Sequence, residues 1–552
     1  MPDMIKKLFF NILLLVFFVN IGLQAQQTED DFPVLKQINP LNIKGHMTFL
    51  SEDDLMGRRP GSEGFQIASN YVKSQFIALG LKPANEGSYY QKVPLVHGTV
   101  KEEESSASII IDGKTTTIKL SEDIILSPYY DKAVSEVTAP LVFVGYGITA
   151  PEFDYDDYSG VDVKGKIVVY INSAPSTFPT SERAFYSGSS PKYDAAIKNG
   201  AIGVISFMHP SNTRRTWASS VSRSNNGGFK WKSPNGIIAN SYPDLKVTAF
   251  FNNSELDKIF GKTKNKLEEA LRLFDEGKSI SFPMNVSANI KVATKTEVVQ
   301  SHNLLGEITG TDPVLKDEYM VYAAHVDHLG IGRAIKGDSI YNGAHDNASG
   351  VAILLEIAKT FQALEEKPKR SILFAIVTGE ESGLLGSDYL ANNRPKGKEK
   401  MVANIAMDMP FFFHPILDIV PYGAVHSSLG NQTKQVADIL GLKISPDPFP
   451  EQVIFIRSDH YSFIKQGIPA LFIKSGFMTV PSDTVDRSIT DVMWRRTHYH
   501  TPQDDMNQPF DFNAAATHVK VDFLIGYLVA NEISLPKWNV GDFFGNKLGK
   551  KN

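Results

Sequence analysis

The chain has 552 residues, of which 42% are hydrophobic and 21% charged, and its formal net charge is −5. This length predicts two or three domains, and the mild acidic balance gives no reason to expect nucleic acid or an anionic membrane as partner. The chain contains no cysteine, which excludes disulfides, thiolate metal sites and a lipid-modified cysteine.

The first residues have the layout of a secretory signal peptide. Two lysines precede an apolar run from Leu8 to Leu23, and Ala25 leads into a polar, acidic stretch. We expect residues 1–25 to be removed and the mature protein to be exported, either secreted or periplasmic. An uncleaved anchor is the alternative, although the run is short for a membrane span. No later segment predicts stable membrane insertion.

The next part of the chain predicts a discontinuous domain interrupted by an insert. Residues 26–98 show mainly helical spacing of apolar positions and are expected to join residues 293–536 in one domain. Residues 99–292 change to short β-rich runs broken by Gly, Pro, Ser and Asn, which predicts an inserted β-rich domain with lead-in strands. Within the insert, residues 208–236 are expected to form an exposed loop.

From about residue 301 onward, strand and helix patterns alternate. The runs "EYMVYAAH" and "RSILFAIVTG" are typical of buried strands, and "GVAILLEIAKTFQALEE" between them is typical of a helix. Such alternation predicts an α/β fold with a mostly parallel or mixed central sheet sandwiched by helices. Residues 537–552 are expected to form a polar tail.

Titratable residues follow the predicted strands of this part. They are His325, Asp327 and His328 in "HVDHLG", Asp346 in "NGAHDNASG", Glu380 and Glu381 in "GEESG", Asp408 in "AMDM", and His498 and His500 in "THYHTPQDD". The carboxyl ends of parallel strands share one edge of a sheet, so these groups can converge. Histidines and carboxylates without cysteine suit Zn²⁺ or a similar ion. Two ions about 3.5–4 Å apart, sharing a carboxylate, would form a two-metal hydrolase site.

Taken singly, each of these residues has a simpler interpretation. A histidine at a strand end is usually a hydrogen-bonded core or loop residue. An aspartate in "DNASG" often caps a helix, and paired glutamates usually lie on a solvated helix face. The complete set, in order and always at strand ends, favours the metal site.

The ordered motifs resemble those of the M28 family of zinc peptidases. The matching stretches are "HVDHLG", "NGAHDNASG", "GEESGLLGS", "MDM", "RSDHYSF" and "YHTPQDD". The resemblance covers about residues 40–95 and 300–530 and implies a zinc-exopeptidase-like fold. The insert resembles a protease-associated (PA) domain through "VFVGYGI" and "FDYDDYSGVDVKGKIVVYI".

The resemblance implies two zinc ions per chain and assigns their ligands. Asp346 would bridge the two ions. His325 and Asp408 would complete one site, and Glu381 and His500 would complete the other. No cofactor other than the metal is implied.

The resemblance also assigns residues that act beside the ligands. Glu380 would be the general base, and Asp327 would orient His325 through a hydrogen bond. His328 and His498 are the competing imidazoles, and their positions in the motifs place both outside the ligand set.

The function implied is an exported zinc-dependent exopeptidase acting on peptide substrates. An aminopeptidase using a water bridged by two zinc ions is the first choice. A carboxypeptidase or dipeptidase of the same family is the alternative, followed by a glutaminyl cyclase and a non-catalytic binding protein.

Two features near the motifs have no settled role. After Asp408 the chain reads "MPFFFHP", and Phe411–Phe413 are expected either to line a substrate side-chain pocket or to pack in the core. In "RSDHYSF", Arg457, Asp459 and His460 either shape the substrate site or, for Asp459, cap the next helix.

Overall fold

The computed structural model describes residues 27–210, 212, 216–480 and 482–549. The predicted signal peptide lies outside the described residues. Among the helices that are described, none is long and apolar enough to cross a bilayer.

Strands and helices occur along the whole described chain. The strands are β1 (Lys82–Pro83), β2 (Tyr90–Val100), β3 (Ser106–Ile111), β4 (Lys114–Ile118), β5 (Ile124–Leu126), β6 (Val134–Val144), β7 (Thr149–Ala150), β8 (Tyr155–Asp156), β9 (Ile167–Ile171), β10 (Gly203–Phe207), β11 (Gly228–Trp231), β12 (Val247–Phe251), β13 (Ser281–Ile308), β14 (Tyr319–His325), β15 (Gly330–Ile335), β16 (Asp338–Tyr341), β17 (Ser371–Val377), β18 (Met401–Ala406), β19 (Asp418–Tyr422), β20 (Lys443–Ile444) and β21 (Ala470–Ser475). The α-helices are α1 (Pro40–Leu50), α2 (Glu63–Ala78), α3 (Thr180–Ser187), α4 (Ser189–Lys198), α5 (Trp217–Asn225), α6 (Asp257–Phe260), α7 (Lys264–Asp275), α8 (Ser349–Gln362), α9 (Leu385–Asn392), α10 (Leu429–Leu440), α11 (His460–Lys465), α12 (Arg487–Thr497), α13 (Phe512–Asn531) and α14 (Phe543–Leu548).

The longest strand, β13, belongs to two sheets. Its first part pairs with β3 and β6, the latter as far as Ala293. From Thr294 onward it pairs with β2, and its last residues also pair with β17. This change of partner coincides with the predicted end of the insert at residue 292.

The sheet that carries the strand-end motifs runs in the order β11–β2–β13–β17–β14–β18–β21–β19–β20. Its centre is parallel, because β14 pairs in parallel with both β17 and β18. Every residue of β14 and β17 is buried, and alternate side chains enter the two apolar clusters that cover the two faces. Helices α1, α8 and α13 contribute to one cluster, and α9, α11 and α14 to the other. The predicted α/β sandwich with a mixed sheet is confirmed.

The insert has a second sheet, in the order β4–β3–β13–β6–β9–β10–β12–β5. Strands β6, β9, β10 and β12 are parallel neighbours, and α4 and α7 cover opposite faces. The insert also packs against the first sheet, since Tyr146 and Phe185 lie in the same apolar cluster as Phe472 and Phe544.

Two segments differ from the sequence expectation. Residues 208–236 are not loop throughout, because they contain α5 and β11, and β11 adds to the edge of the first sheet. The expected polar tail contains α14, whose Phe544 is fully buried among other aromatic rings. Alternating aromatic residues in the first segment and an adjacent phenylalanine pair in the second provide the apolar contacts that drive this packing.

Candidate metal centre

The ends of three neighbouring strands position the centre. His325 is the last residue of β14, Glu380 follows β17, and Asp408 follows β18. The Nε2 atom of His325 lies 3.7 Å from Asp408 Oδ1 and 3.9 Å from Glu380 Oε2. The sheet therefore brings these three side chains together, as the strand-end argument predicts.

Asp346 lies between two halves of the centre. One carboxylate oxygen, Oδ1, is 3.5 Å from His325 Nε2, and the other, Oδ2, is 3.2 Å from His500 Nε2. The turn before it needs a glycine at Gly343, because φ is 59° there and a Cβ would lie 2.1 Å from the Asp346 carbonyl oxygen. A carboxylate with one oxygen directed at each half has the geometry of a bridging ligand.

The second half of the centre contains Glu381 and His500. Glu381 Oε2 lies 3.0 Å from His500 Nε2. His500 comes from the turn after α12 and has a left-handed φ of 57°, a strained conformation that is typical of functional positions in residues other than glycine. All the ligands predicted from the sequence thus meet at one place.

The donor atoms fit a metal ion. Three of them, His325 Nε2, His500 Nε2 and Asp408 Oδ1, are buried and make no hydrogen bond within the described protein. Buried polar atoms are nearly always satisfied, so a group of orphaned atoms directed at one another indicates a missing ligand. Imidazole nitrogens with carboxylate oxygens and no thiolate suit zinc.

Charged neighbours shift the pKa values of His500 and Asp408 away from their ordinary values. Burial alone would lower the pKa of His500, but the carboxylates of Glu381 and Asp346 outweigh burial and raise it to about 9. Burial would raise the pKa of Asp408, but His325 outweighs burial and lowers it to about 2. The strong carboxylate field that attracts a proton to His500 would equally attract a cation.

Glu380 differs from its neighbour Glu381. Burial raises the pKa of Glu380 well above its ordinary value; His325 opposes this shift, while Asp408 and Glu381 add to it. The pKa of Glu381 is well below its ordinary value, because His500 and His328 together outweigh the effect of burial. One of the adjacent carboxylates therefore holds a proton readily and the other does not.

Asp327 contacts His325 in a different way from the expected one. The Nδ1 atom of His325 hydrogen bonds to the backbone carbonyl of Asp327 at 3.1 Å, while the nearest carboxylate oxygen is 3.9 Å away. That oxygen, Oδ1, instead accepts the backbone N–H of Glu380 at 3.2 Å. The tight turn after β14 brings the carbonyl closer to the ring than the carboxylate. Asp327 therefore orients His325 through its backbone and Glu380 through its side chain.

The two competing histidines lie in different places. His328 is buried in the centre, and its Nδ1 lies 2.6 Å from Glu381 Oε1, whereas His500 faces the other oxygen, Oε2. His498 is half-buried. Its Nδ1 atom hydrogen bonds to the hydroxyl of its neighbour Thr497 at 2.8 Å, and its ring stacks on Trp494. His328 therefore belongs to the cluster. Together with Asp346 and Glu381, it offers ligand atoms close enough together to hold a metal ion.

Asp504 holds the turn that carries Asp346, and sequence reasoning missed this role. Its Oδ1 accepts the N–H of His345 and its Oδ2 accepts the N–H of Asp346, both at 2.9 Å. The Asp504 carbonyl accepts the N–H of Ala344 at 2.9 Å. Burial raises the pKa of Asp504 to about 6, and the two amide hydrogen bonds limit the rise. The only sequence signal was its place in "YHTPQDD", next to a ligand.

Replacing Asp504 with alanine is expected to weaken zinc binding about 10–100-fold, the usual effect of removing a partner that orients a ligand. The reason is that two buried amides of the Asp346 turn lose their acceptors. Zinc affinity is measured by competition with a chromogenic chelator. Asp505→Ala is the control, because the Asp505 carboxylate hydrogen bonds to Asn507 and not to the Asp346 turn; equal affinities in the two variants would contradict the role of Asp504.

Arg58 is a second residue whose role was missed. It is 1% exposed, and its guanidinium donates to the carbonyl of Val326 at 2.8 Å and to that of Gly343 at 3.0 Å. It also donates to the carbonyls of Leu50 and Asn342. Arg58 thus joins α1 to the two loops that follow His325 and precede Asp346.

The three phenylalanines after Asp408 differ in burial. Phe411 and Phe412 are buried, whereas Phe413 is half-buried. With Trp494 they surround the fully buried ring of His345, whose centroid lies 4.9 Å from that of Trp494. Phe411 and Phe412 therefore pack in apolar clusters, whereas Phe413 packs beside Phe411 and Trp494 and keeps part of its surface exposed.

The "RSDHYSF" stretch lies beside the centre. Asp459 precedes α11 but its side chain makes no capping hydrogen bond, and burial raises its pKa to about 7. Arg457 donates to the Tyr499 hydroxyl at 3.1 Å, and the Tyr499 ring stacks on His500 with a centroid distance of 3.8 Å. The ring of His460 is buried against Phe455 and Phe472. Capping thus does not explain Asp459.

A histidine–carboxylate cluster at the strand ends of an α/β sheet defines a candidate metal centre, and comparison with known proteins identifies the domain. Residues 303–523 match peptidase family M28. This part of the chain, which carries all the candidate ligands, is therefore similar to an M28 peptidase domain.

Several curated relatives are aminopeptidases. Aminopeptidase NAALADL1 of Mus musculus is 33% identical over 162 residues, which cover 28% of this chain and 20% of that protein. Leucine aminopeptidase 1 of Trichophyton rubrum is 26% identical over 246 residues, which cover 43% of this chain and 60% of that protein. The chain therefore spans less than two thirds of either relative.

The similarity to a solved structure extends over most of the chain. An aminopeptidase from Aneurinibacillus sp. strain AM-1 superposes with a TM-score of 0.51 at 20% identity. The superposition covers 91% of this chain and 96% of that chain, so the shared fold includes most of the insert.

Proposed function

We propose that this protein is an exported zinc-dependent exopeptidase, and specifically an aminopeptidase that removes N-terminal residues from peptides. The observation that carries the proposal is Asp346, with one carboxylate oxygen 3.5 Å from His325 and the other 3.2 Å from His500. That arrangement suits a bridge between two ions. The names of the relatives support the choice of aminopeptidase over carboxypeptidase or dipeptidase.

Five side chains would hold two zinc ions. His325, Asp346 and Asp408 would hold one ion, and Asp346, Glu381 and His500 the other. Bound zinc lowers the pKa of an attacking water and polarises the scissile carbonyl. The Asp327 carbonyl hydrogen bonds to His325 and keeps that ring in orientation.

Glu380 would move the proton. Its carboxylate lies 3.9 Å from the His325 ring, and its backbone is fixed by the hydrogen bond to Asp327. The carboxylate can accept a proton from water, and the same carboxyl then returns the proton to the leaving amine. Export, by the leader at residues 1–25, would place this activity in the periplasm or outside the cell.

The protein is expected to contain two zinc ions per chain and to lose aminopeptidase activity in a chelator. Metal content is measured by mass spectrometry, and activity with leucyl-p-nitroanilide before and after chelation and zinc addition. Product analysis on free-ended peptides distinguishes release from the N-terminus from release from the C-terminus. One zinc per chain would contradict the bridged site, and release from the C-terminus would contradict the aminopeptidase assignment.

A further inference from the structure

Helix α5 of the insert reaches the metal centre. The side chain of Arg223, in its last turn, is exposed, and its Nη2 atom lies 3.4 Å from Nδ1 of His500. His500 Nε2 faces Asp346 and Glu381, so the guanidinium is one imidazole ring away from the centre. The insert therefore contributes a charged side chain to a site otherwise built by the peptidase domain.

Both ends of α5 are anchored. At its start, the Trp217 indole N–H donates to the Ser121 carbonyl at 2.9 Å, and the ring stacks on Phe250. Just after its end, the Asn226 carbonyl accepts from Arg59 at 3.3 Å and contacts His97 Nε2 at 2.8 Å.

Strand β11 follows immediately and pairs with β2 of the first sheet. Its Trp231 indole N–H donates to Asp388 at 2.8 Å. The start of α5 is thus attached to the insert, and its end is attached to the peptidase domain. The position of Arg223 is therefore set by the fold.

The charge of Arg223 is not balanced by the described protein. No carboxylate among the described residues forms an ion pair with it, whereas Arg495 pairs with Asp491. Two zinc ions would more than offset the three carboxylates that hold them, at positions 346, 381 and 408. The additional guanidinium would then leave this side of the site positive and favour an anionic group of the substrate.

We propose that Arg223 binds the C-terminal carboxylate of dipeptide and tripeptide substrates, a proposal that rests on the aminopeptidase function given above. One residue of extended chain spans about 3.3–3.6 Å. A guanidinium one imidazole ring from the reacting bond is therefore within reach of a carboxylate one or two residues beyond that bond. Arginine is suited to this contact, because its planar fork matches a carboxylate.

The test compares free-acid peptides with their C-terminal amides. The substrates are Leu-Gly, Leu-Gly-Gly and a five-residue peptide in which leucine is followed by four glycines. The variants are Arg223→Gln and Arg223→Lys. For the two short peptides, Arg223→Gln is expected to lower the ratio of kcat/KM for acid over amide about 10–100-fold, mainly through KM. Arg223→Lys is expected to keep part of this preference, and the longest peptide is expected to show little preference in any variant.

Arg272→Gln is the matched control, because Arg272 is an exposed arginine of the insert that pairs with Glu276. It is expected to keep the wild-type acid-to-amide ratio. Zinc content is measured in each variant, since Arg223 contacts His500. An unchanged ratio in Arg223→Gln, or an equal loss on acids and amides, would overturn the carboxylate site.

A direct binding measurement separates this proposal from the proposed function. In a Glu380→Gln background, calorimetry with Leu-Gly and its amide is expected to show tighter binding of the acid, and this difference is expected to disappear with Arg223→Gln. Equal binding of acid and amide would overturn the proposal. If the wild type hydrolysed no peptide but the binding difference remained, the peptidase function would fail and the Arg223 site would stand.

Discussion

Replacing Glu380 with glutamine is expected to reduce kcat about 10²–10⁴-fold, the usual contribution of a positioned general base, while zinc content stays near that of the wild type. Glutamine has the size of glutamate but cannot accept a proton. The Glu380 backbone N–H would still donate to Asp327, so the turn after β17 is kept. The measurements are kcat with leucyl-p-nitroanilide and zinc per chain.

The adjacent residue provides the control. Glu381→Gln makes the same chemical change one position along the chain, but it removes a carboxylate oxygen that lies 3.0 Å from His500. We expect this variant to lose zinc as well as activity, and to regain part of both with added zinc. If Glu380→Gln lost zinc to the same extent, Glu380 would be a ligand; if it kept more than a tenth of the activity, another group would be the base.

The meeting of His325, Glu380 and Asp408 could be predicted, because their positions depend on local pattern and one general rule. Buried strand patterns locate the ends of β14, β17 and β18, and parallel strands place those ends at one edge. His325, Glu380 and Asp408 therefore meet without any knowledge of loop structure. Asp346 and His500 lie in loops, and the family resemblance supplied their roles.

The supporting residues could not be predicted, because their partners are distant in sequence. Arg58 lies in "GRRPGSEG", whose Gly, Pro and Ser residues are typical of an exposed turn, and its acceptors are the carbonyls of distant residues such as Val326 and Gly343. The Asp504 carboxylate binds amides more than 150 positions away. Such contacts depend on tertiary structure, and the residue type alone does not indicate them.

The insert segment 208–236 was wrongly predicted as loop for a physical reason. Its Ser, Asn and Gly content is typical of loops, but "GFKW" alternates apolar and polar residues as a strand does. Phe229 and Trp231 use this alternation to pack in a cluster with Val93 and Leu95 of β2. The short strand is stable only because the edge of the first sheet is available to it, and the same pairing places Arg223 at the metal centre.

Replacing Arg58 with methionine is expected to reduce the free energy of unfolding by about 3–5 kcal/mol. The variant keeps much of the apolar stem but leaves the carbonyls of Leu50, Val326 and Asn342 without their donor, and unsatisfied buried groups cost about 1–3 kcal/mol each. Burial lowers the pKa of Arg58 only to about 10, so the guanidinium is charged at neutral pH and all its hydrogen bonds are charge-assisted. The measurements are thermal melting and denaturant unfolding.

The neighbouring arginine distinguishes a local effect from a general one. Arg59 is half-buried and donates to the Asn226 carbonyl on the insert, so Arg59→Met is expected to change stability by less than about 1 kcal/mol. Arg58→Lys keeps the charge but has no planar fork, and we expect it to recover only part of the loss. Because Val326 and Gly343 flank the loops of His325 and Asp346, Arg58→Met is also expected to weaken zinc binding. A variant as stable as Arg59→Met, with wild-type zinc affinity, would show that these loops keep their positions without Arg58.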